Sequence, residues 1–277
     1  MRIGFHISIA RGFEWTLKEA NRLGCEVIQI FLKNPRSWKK KTWTDNDFEA
    51  FQKLIYEIPV FAHLTYLPNL AKIDENEENI KGLMHEVELC VNLGLNAMIV
   101  HCGAHHEKLK GMKMVANAIN RVISEYGISI YMENSAGQGH SLGSTFEELS
   151  IIYEKIEEKK KVFLCIDTAH LFASGYDIRT PESWQRVVTH IYKLFGENKI
   201  GFFHLNDSKA DFASRIDRHW HIGKGKIGTD AFKIILNDMR FKNLKGVMET
   251  PMNDKMDEEN MKVIRSLLSP LMPGPSS

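Results

Sequence analysis

Eight short β-rich runs, each followed by a longer amphipathic stretch, pace this 277-residue chain, and no other feature limits its fold as tightly. The runs are "IGFHIS" (3–8), "VIQIF" (27–31), "VFAHL" (60–64), "AMIVHC" (97–102), "ISIYMEN" (128–134), "VFLCID" (162–167), "GFFHLN" (201–206) and "GVMET" (246–250). Helix-like stretches such as "EWTLKEANRLG", "ENIKGLMHEVELCVNLGL" and "MKMVANAINRVISEYG" lie between them. Glycines stand near several of their ends, where a left-handed cap is wanted. Strand then helix, repeated without a linker, predicts an α/β fold: a single (β/α)8 TIM barrel over residues 1–268. A doubly wound open sheet is the alternative, because periodicity does not prove closure. The tail "SPLMPGPSS" (269–277) is expected to be disordered from its Pro, Gly and Ser content.

Bulk composition narrows the function classes. Hydrophobic residues at 43 % supply a buried core, and a formal net charge of +1 excludes a global field for polyanions. Any nucleic-acid contact must come from local patches. Cys25, Cys90, Cys102 and Cys165 are scattered with no C-x-x-C pair, which fits reduced thiols. No apolar run reaches transmembrane length, and the N-terminus runs straight into a strand. A cytoplasmic protein with no membrane association is the expectation.

Metal-capable side chains fall at one level of this pattern. His63, His101, Glu133, Asp167, His204 and Glu249 sit near the ends of the third to eighth predicted strands. In a barrel those ends form one rim, which carries the active site. A lone histidine there is an ordinary satisfied polar group; six ligand-type residues at six successive strand ends are not. "CIDTAHLFASGYD" adds His170 three residues after Asp167, and "RIDRHWHIGKG" (215–225) adds Asp217 and His219 from a long loop. In an extended segment Asp217, His219 and His221 would share a face, so spacing alone admits all three. Nine nitrogen and oxygen donors without a cysteine suit zinc or manganese, and serve about three ions better than one or two.

Seven motifs, in order, carry a resemblance: "QIFLKNPRSW" (29–38), "HLTYLPNLA" (63–71), "MENSAGQG" (132–139), "CIDTAHLFASGYD" (165–177), "HLNDSK" (204–209), "DRHWHIGKGKIG" (217–228) and "ETP" (249–251). With them the chain resembles the endonuclease IV family of apurinic/apyrimidinic (AP) endonucleases over nearly its whole length. The resemblance implies a xylose-isomerase-like TIM barrel with three Zn2+ per chain, Mn2+ being an alternative at one position. It implies hydrolysis of DNA on the 5′ side of abasic sites, leaving a 3′-hydroxyl and a 5′-deoxyribose phosphate. His63, His101 and Glu133 would hold one ion. Glu133 would bridge to a second, completed by Asp167, His204 and Glu249, and His170, Asp217 and His219 would hold the third. By this pattern His221 lies outside the set. Four positions depart from the commonest family form: Cys102, Ala104, Ala213 and Lys224. None is a ligand, but Ala213 replaces a glycine where positive φ is easy only without a Cβ. Cys102, next to His101, would face the other side of its strand and pack.

Bound cations would lower the pKa of water to about 7 and neutralise charge building on the phosphate. Glu133 would then position the attacking water, and Glu249 would orient it or accept its proton. His6, Asn206, Asp207 and residues 136–139 are candidates to orient ligands or phosphate.

The loop "KNPRSWKKKTW" (33–43) sets Lys33, Arg36, Lys39, Lys40 and Lys41 around Trp38 and Trp43, a mixture suited to phosphate contact and stacking. The resemblance makes Arg36, Tyr66 and Leu67 the side chains that wedge into the base stack; spacing alone would bury Tyr66. The implied partner is double-stranded DNA containing abasic sites, which would bring the chain to the nucleoid, and no obligate protein partner is implied. A divalent-metal sugar isomerase or epimerase on the same barrel is the alternative function. It needs neither the Asp217/His219 arm nor the basic loop.

Overall fold

Short apolar strands flanked by helices can each pair with two neighbours, and here they close into a ring. The computed structural model describes residues 1–40 and 42–268; Lys41 and the 269–277 tail lie outside the described residues. Eight strands make the barrel: β1 (Arg2–His6), β2 (Val27–Phe31), β3 (Val60–His63), β4 (Ala97–His101), β5 (Ser129–Glu133), β6 (Val162–Asp167), β7 (Ile200–His204) and β10 (Lys245–Met248). Their order is β1-β10-β7-β6-β5-β4-β3-β2, and β1 pairs in parallel with both β2 and β10. The closed barrel stands and the open sheet does not. A Cβ on Gly4 would lie 1.6 Å from the Val27 carbonyl oxygen, so only glycine lets β1 approach β2 at this point.

Helices α1 (Phe13–Leu23), α2 (Asp45–Glu57), α3 (Glu77–Asn92), α4 (Lys108–Tyr126), α5 (Phe146–Glu154), α6 (Thr168–Ser174), α7 (Pro181–Phe195), α8 (Thr229–Leu236) and α9 (Asp254–Ser266) accompany the strands. The glycine signal holds at Gly127, which ends α4 in the left-handed conformation and returns its N–H to the Ile123 carbonyl. Several predicted strands overran the ladder by one or two residues at their C-terminal ends. Asn134 and Asn206 explain two cases, because their side chains serve the rim instead of alternating with the sheet.

The long segment after β7 is not a plain loop. Residues β8 (Asp207–Ser208) and β9 (His219–Trp220) pair antiparallel and bring the segment back over the rim. Its tip contains Ala213 and Arg215, both at φ 56°, so the left-handed backbone expected at Ala213 is present. The N–H groups of Ala213 and Arg215 donate to the carbonyls of Phe172 and Ala173 on α6, which over-determines that conformation.

Asp207 anchors the return. Its fully buried carboxylate accepts backbone N–H groups from Ser208 (2.8 Å), Gly223 (2.9 Å), Gly225 (3.0 Å) and Ile227 (3.0 Å). This corrects the expectation that Asp207 orients a ligand directly: its oxygens are spent on the loop that follows His219. Asp207→Ala would leave these donors buried without a partner. A stability loss of at least about 3 kcal/mol is expected by chemical denaturation, and a loss below about 1 kcal/mol would contradict this role.

Candidate metal centre

Every strand-borne donor falls where its strand ends. His63, His101, Glu133, Asp167 and His204 are the last residues of β3 to β7, and Glu249 follows β10 directly. The ladder sets His101 beside Glu133 and Asp167 beside His204. Glu133, 1 % exposed, is the hub. His63 Nε2 lies 3.0 Å and His101 Nε2 3.5 Å from its Oε2; His204 Nδ1 lies 3.0 Å and His170 Nδ1 3.2 Å from its Oε1.

Two further groupings adjoin this hub, the first of them through Glu133 itself. Glu133, Asp167, His204 and Glu249 bring one donor atom each within 4.8 Å of one another, as do Asp167, His170 and His219. Asp217 closes the second grouping, with Oδ2 3.3 Å from His170 Nε2 and Oδ1 3.4 Å from His219 Nε2. His101 is the outlying member, half-buried and near Glu133 alone among the carboxylates. His221 is not brought in. Its Nδ1 meets Asn260 Nδ2 at 3.1 Å, away from the cluster.

Local structure explains the D-x-x-H spacing. Asp167 caps α6 by accepting the His170 N–H at 2.7 Å, so the cap turns His170 toward the carboxylate that holds it. Asp167 Oδ2 also accepts from Asn206 Nδ2 at 2.7 Å, and Asn206 Oδ1 accepts the Glu249 N–H at 2.7 Å. Gln138 Oε1 accepts the Asp217 N–H at 3.1 Å, which uses the 136–139 segment as expected. His6 Nδ1 lies 3.2 Å from Glu249 Oε1, also as expected.

The outer contacts identify what the inner atoms want. His63 Nδ1–H donates to the Leu64 carbonyl at 2.6 Å, His170 Nδ1–H to Asn134 at 2.9 Å, and His219 Nδ1–H to Glu249 at 3.2 Å. His204 Nε2–H donates to Gln29 Oε1 at 2.8 Å. Each of these four imidazoles thereby commits one nitrogen as a donor and leaves the lone pair of the other free, the tautomer a metal ligand needs. His170 Nε2 and His219 Nε2 face each other at 3.4 Å, and two lone pairs so placed call for a cation between them. The donor set fits divalent metal ions.

Charge balance agrees. Burial alone would raise the Glu133 carboxyl, but the imidazoles of His101, His204 and His170 outweigh it and hold it well below the usual range. Burial would lower His170 and His204, yet the carboxylates of Asp167, Asp217 and Glu133 at His170, and of Glu249 and Glu133 at His204, hold both well above the ordinary histidine value. Cations bound among these carboxylates would supply the same charge balance.

Sequence reasoning missed two contributors. Gln29 Nε2 donates to Glu249 Oε1 at 2.7 Å and approaches His6 Nδ1 at 2.8 Å, while its Oε1 holds His204. Its signal was a lone amide inside the apolar run "VIQIF". Asn134 accepts the Asp167 N–H through Oδ1 at 2.8 Å and donates Nδ2 to the Asp167 carbonyl.

The basic loop needs two corrections. Lys33 is buried, 3.6 Å from Glu86, and is not a free phosphate contact. Trp43 is buried against Phe13 and Phe51, and as the residue before the Thr44 cap it packs on Phe48, a hydrophobic staple opening α2. Arg36, Lys39 and Lys40 are exposed. Tyr66 is 62 % exposed, against its spacing, and Leu67 is half-buried. The Tyr66 ring lines two clefts. One, of about 640 Å³, includes Phe31, His219, Glu249 and Met252; the other, of about 430 Å³, includes His101, His170 and Asp217. Cys102 is buried and packs, as its alternation required, and all four cysteines are free. No helix of the described residues is long and apolar enough to cross a membrane.

Comparison with known proteins bears on the fold and the family. Residues 17–267 match the family described as a xylose isomerase-like TIM barrel. A probable endonuclease 4 from Chloroflexus aggregans is 38 % identical over 96 % of this chain and 98 % of its own. An apurinic-apyrimidinic endonuclease from Caenorhabditis elegans is 36 % identical over 94 % of this chain and 68 % of its own. The crystal structure of endonuclease IV from Thermus thermophilus superposes with a TM-score of 0.85 at 31 % identity, covering 96 % of this chain and 98 % of that one.

Gln29→Leu tests the outer contacts. It strips His204 Nε2 and Glu249 Oε1 of a partner, so metal affinity should fall by roughly 10- to 100-fold in chelator competition. Unchanged affinity in the folded variant would contradict the account.

Proposed function

The chain belongs to the endonuclease IV family, and from that premise we propose that it is a DNA-repair enzyme hydrolysing the phosphodiester 5′ to abasic sites, leaving a 3′-hydroxyl and a 5′-deoxyribose phosphate. One observation carries the reading: five imidazoles and four carboxylates converge on an open rim beside an exposed tyrosine. We assign His63, His101 and Glu133 to one ion, Glu133, Asp167, His204 and Glu249 to a second, and His170, Asp217 and His219 to a third. Zinc suits this set, with manganese an alternative at one position. When bound, such ions neutralise phosphate charge and lower the pKa of water.

The chain's own groups supply the rest. Glu249 Oε1 is occupied by Gln29, whereas Oε2 lies 3.1 Å from His204 Nδ1 and faces the centre. Burial would raise this carboxyl, but His204 and His6 hold it low, so it stays ionised. An ionised carboxylate only accepts hydrogen bonds, which suits Glu249 Oε2 to orient the O–H of the attacking water. Its side chain is more exposed than those of Glu133 and Asp167, which suits it to pass a proton to solvent. Glu133 is the buried positioning carboxylate at the shared centre.

Recognition falls to Arg36, Tyr66 and Leu67. Tyr66 offers a neutral, exposed ring between two clefts, suited to fill the gap in a base stack. Unstacking costs a few kcal/mol and least where a base is already missing, so deformability selects the lesion. A sugar epimerase reading leaves the Asp217/His219 arm and the exposed Arg36 without a task. A DNA substrate puts the enzyme in the cytoplasm, at the nucleoid.

A duplex with one abasic residue tests the reading. Metal-loaded protein should nick it 5′ to the lesion and chelator should stop it; an intact duplex would overturn the proposal. Glu249→Ala should lower kcat by roughly 10²- to 10⁴-fold without unfolding the barrel, and near-wild-type turnover would remove its role. Tyr66→Ala should weaken binding to the abasic duplex while metal content stays unchanged; equal affinity would remove the wedge.

A further inference from the structure

Lys33 and Glu86 form a charged pair that the metal centre does not use. Both are nearly without solvent, and Lys33 Nζ lies 3.6 Å from Glu86 Oε1. Glu86, on α3, accepts the Thr65 N–H at 3.0 Å and the Thr65 hydroxyl at 2.5 Å. Lys33 donates to the Ser37 carbonyl at 2.5 Å. The carboxylate therefore grips the residue before Tyr66 and Leu67, while its ammonium partner grips the turn that carries Arg36. One turn earlier on the same helix is Gly82. A Cβ there would lie 2.8 Å from Trp38 Cζ3 and 3.2 Å from Pro68 Cγ, so the two loops meet again over α3.

Stability does not explain the pair. Taking two charges out of water costs several kcal/mol each, and apolar residues of similar size often serve as well or better. Burial raises the Glu86 carboxyl more than Thr65 and Lys33 lower it. What an ionic link offers over an apolar contact is direction: it fixes which atoms of the two loops stand opposite each other.

We propose that Glu86, with Lys33 and Gly82, is a positioning element that holds the Arg36 loop and the Tyr66–Leu67 loop at one spacing, so that damaged DNA meets a preformed wedge. The inference rests on the nuclease reading above. Preformed loops lower the ordering cost of binding, so loosening them raises KM rather than lowering kcat.

Two variants of the holoenzyme test it. Glu86→Gln keeps an oxygen for the Thr65 N–H but removes the counterion of Lys33, and Gly82→Ala displaces Trp38 without touching a charge. Each should raise KM for an abasic duplex by about tenfold, with kcat within about twofold and metal content unchanged. In substrate-free protein, amide hydrogen exchange over residues 34–38 should quicken by about tenfold in both. Exchange needs no turnover, so an inactive wild-type enzyme would sink the nuclease reading while the loop coupling is still measured. If both folded variants keep KM and loop exchange within about twofold of wild type, or lose kcat at unchanged KM, the positioning role is overturned.

Discussion

A carboxylate with almost no access to water, Glu133, faces four imidazoles from β3, β4, α6 and β7, and the rest of the rim follows from satisfying it. A buried anion is tolerated only when paired, by protons on neighbouring histidines or by cations. The barrel makes the pairing inexpensive in chain length, because parallel strands end at one level and each contributes one side chain there. Asp167, capping α6, then turns the chain so that His170 faces back toward the same carboxylate.

Around this hub the polar work is divided. Gln29, Asn134 and Asn206 touch the donor residues and use almost every amide atom on them, fixing which ring nitrogen points inward and which oxygen stays free. Asp207 does the same at a distance by holding the backbone after His219. Loss of any of these partners would leave a buried group unpaired, so the outer contacts constrain the centre about as strongly as its own donors do.

Much of this was legible in the sequence. Strand-helix alternation requires ligand-type residues at strand ends to converge, and the donors of β3 to β10 do converge. What alternation leaves open is direction beyond the sheet. Lys33 and Trp43 read as free members of a basic aromatic loop because a charge run is normally solvated; the carboxylate of Glu86 and the start of α2 draw them inward. Tyr66 goes the other way, standing out where an aromatic after a strand is usually core. His221 shows the limit of spacing: the chain leaves extended geometry after Trp220, and the imidazole turns to Asn260. Gln29 was overlooked because one amide in an apolar strand carries no periodicity, although a buried amide without a task would be costly.

In the proposed three-ion reading, the rim gathers donors for several cations and not for one. Anomalous scattering at the zinc edge from metal-loaded crystals measures this directly. Three peaks are expected, with one bordered by His170, Asp217 and His219 and two sharing Glu133. A single peak between Glu133, Asp167, His204 and Glu249, with none at the Asp217/His219 arm, would contradict the account.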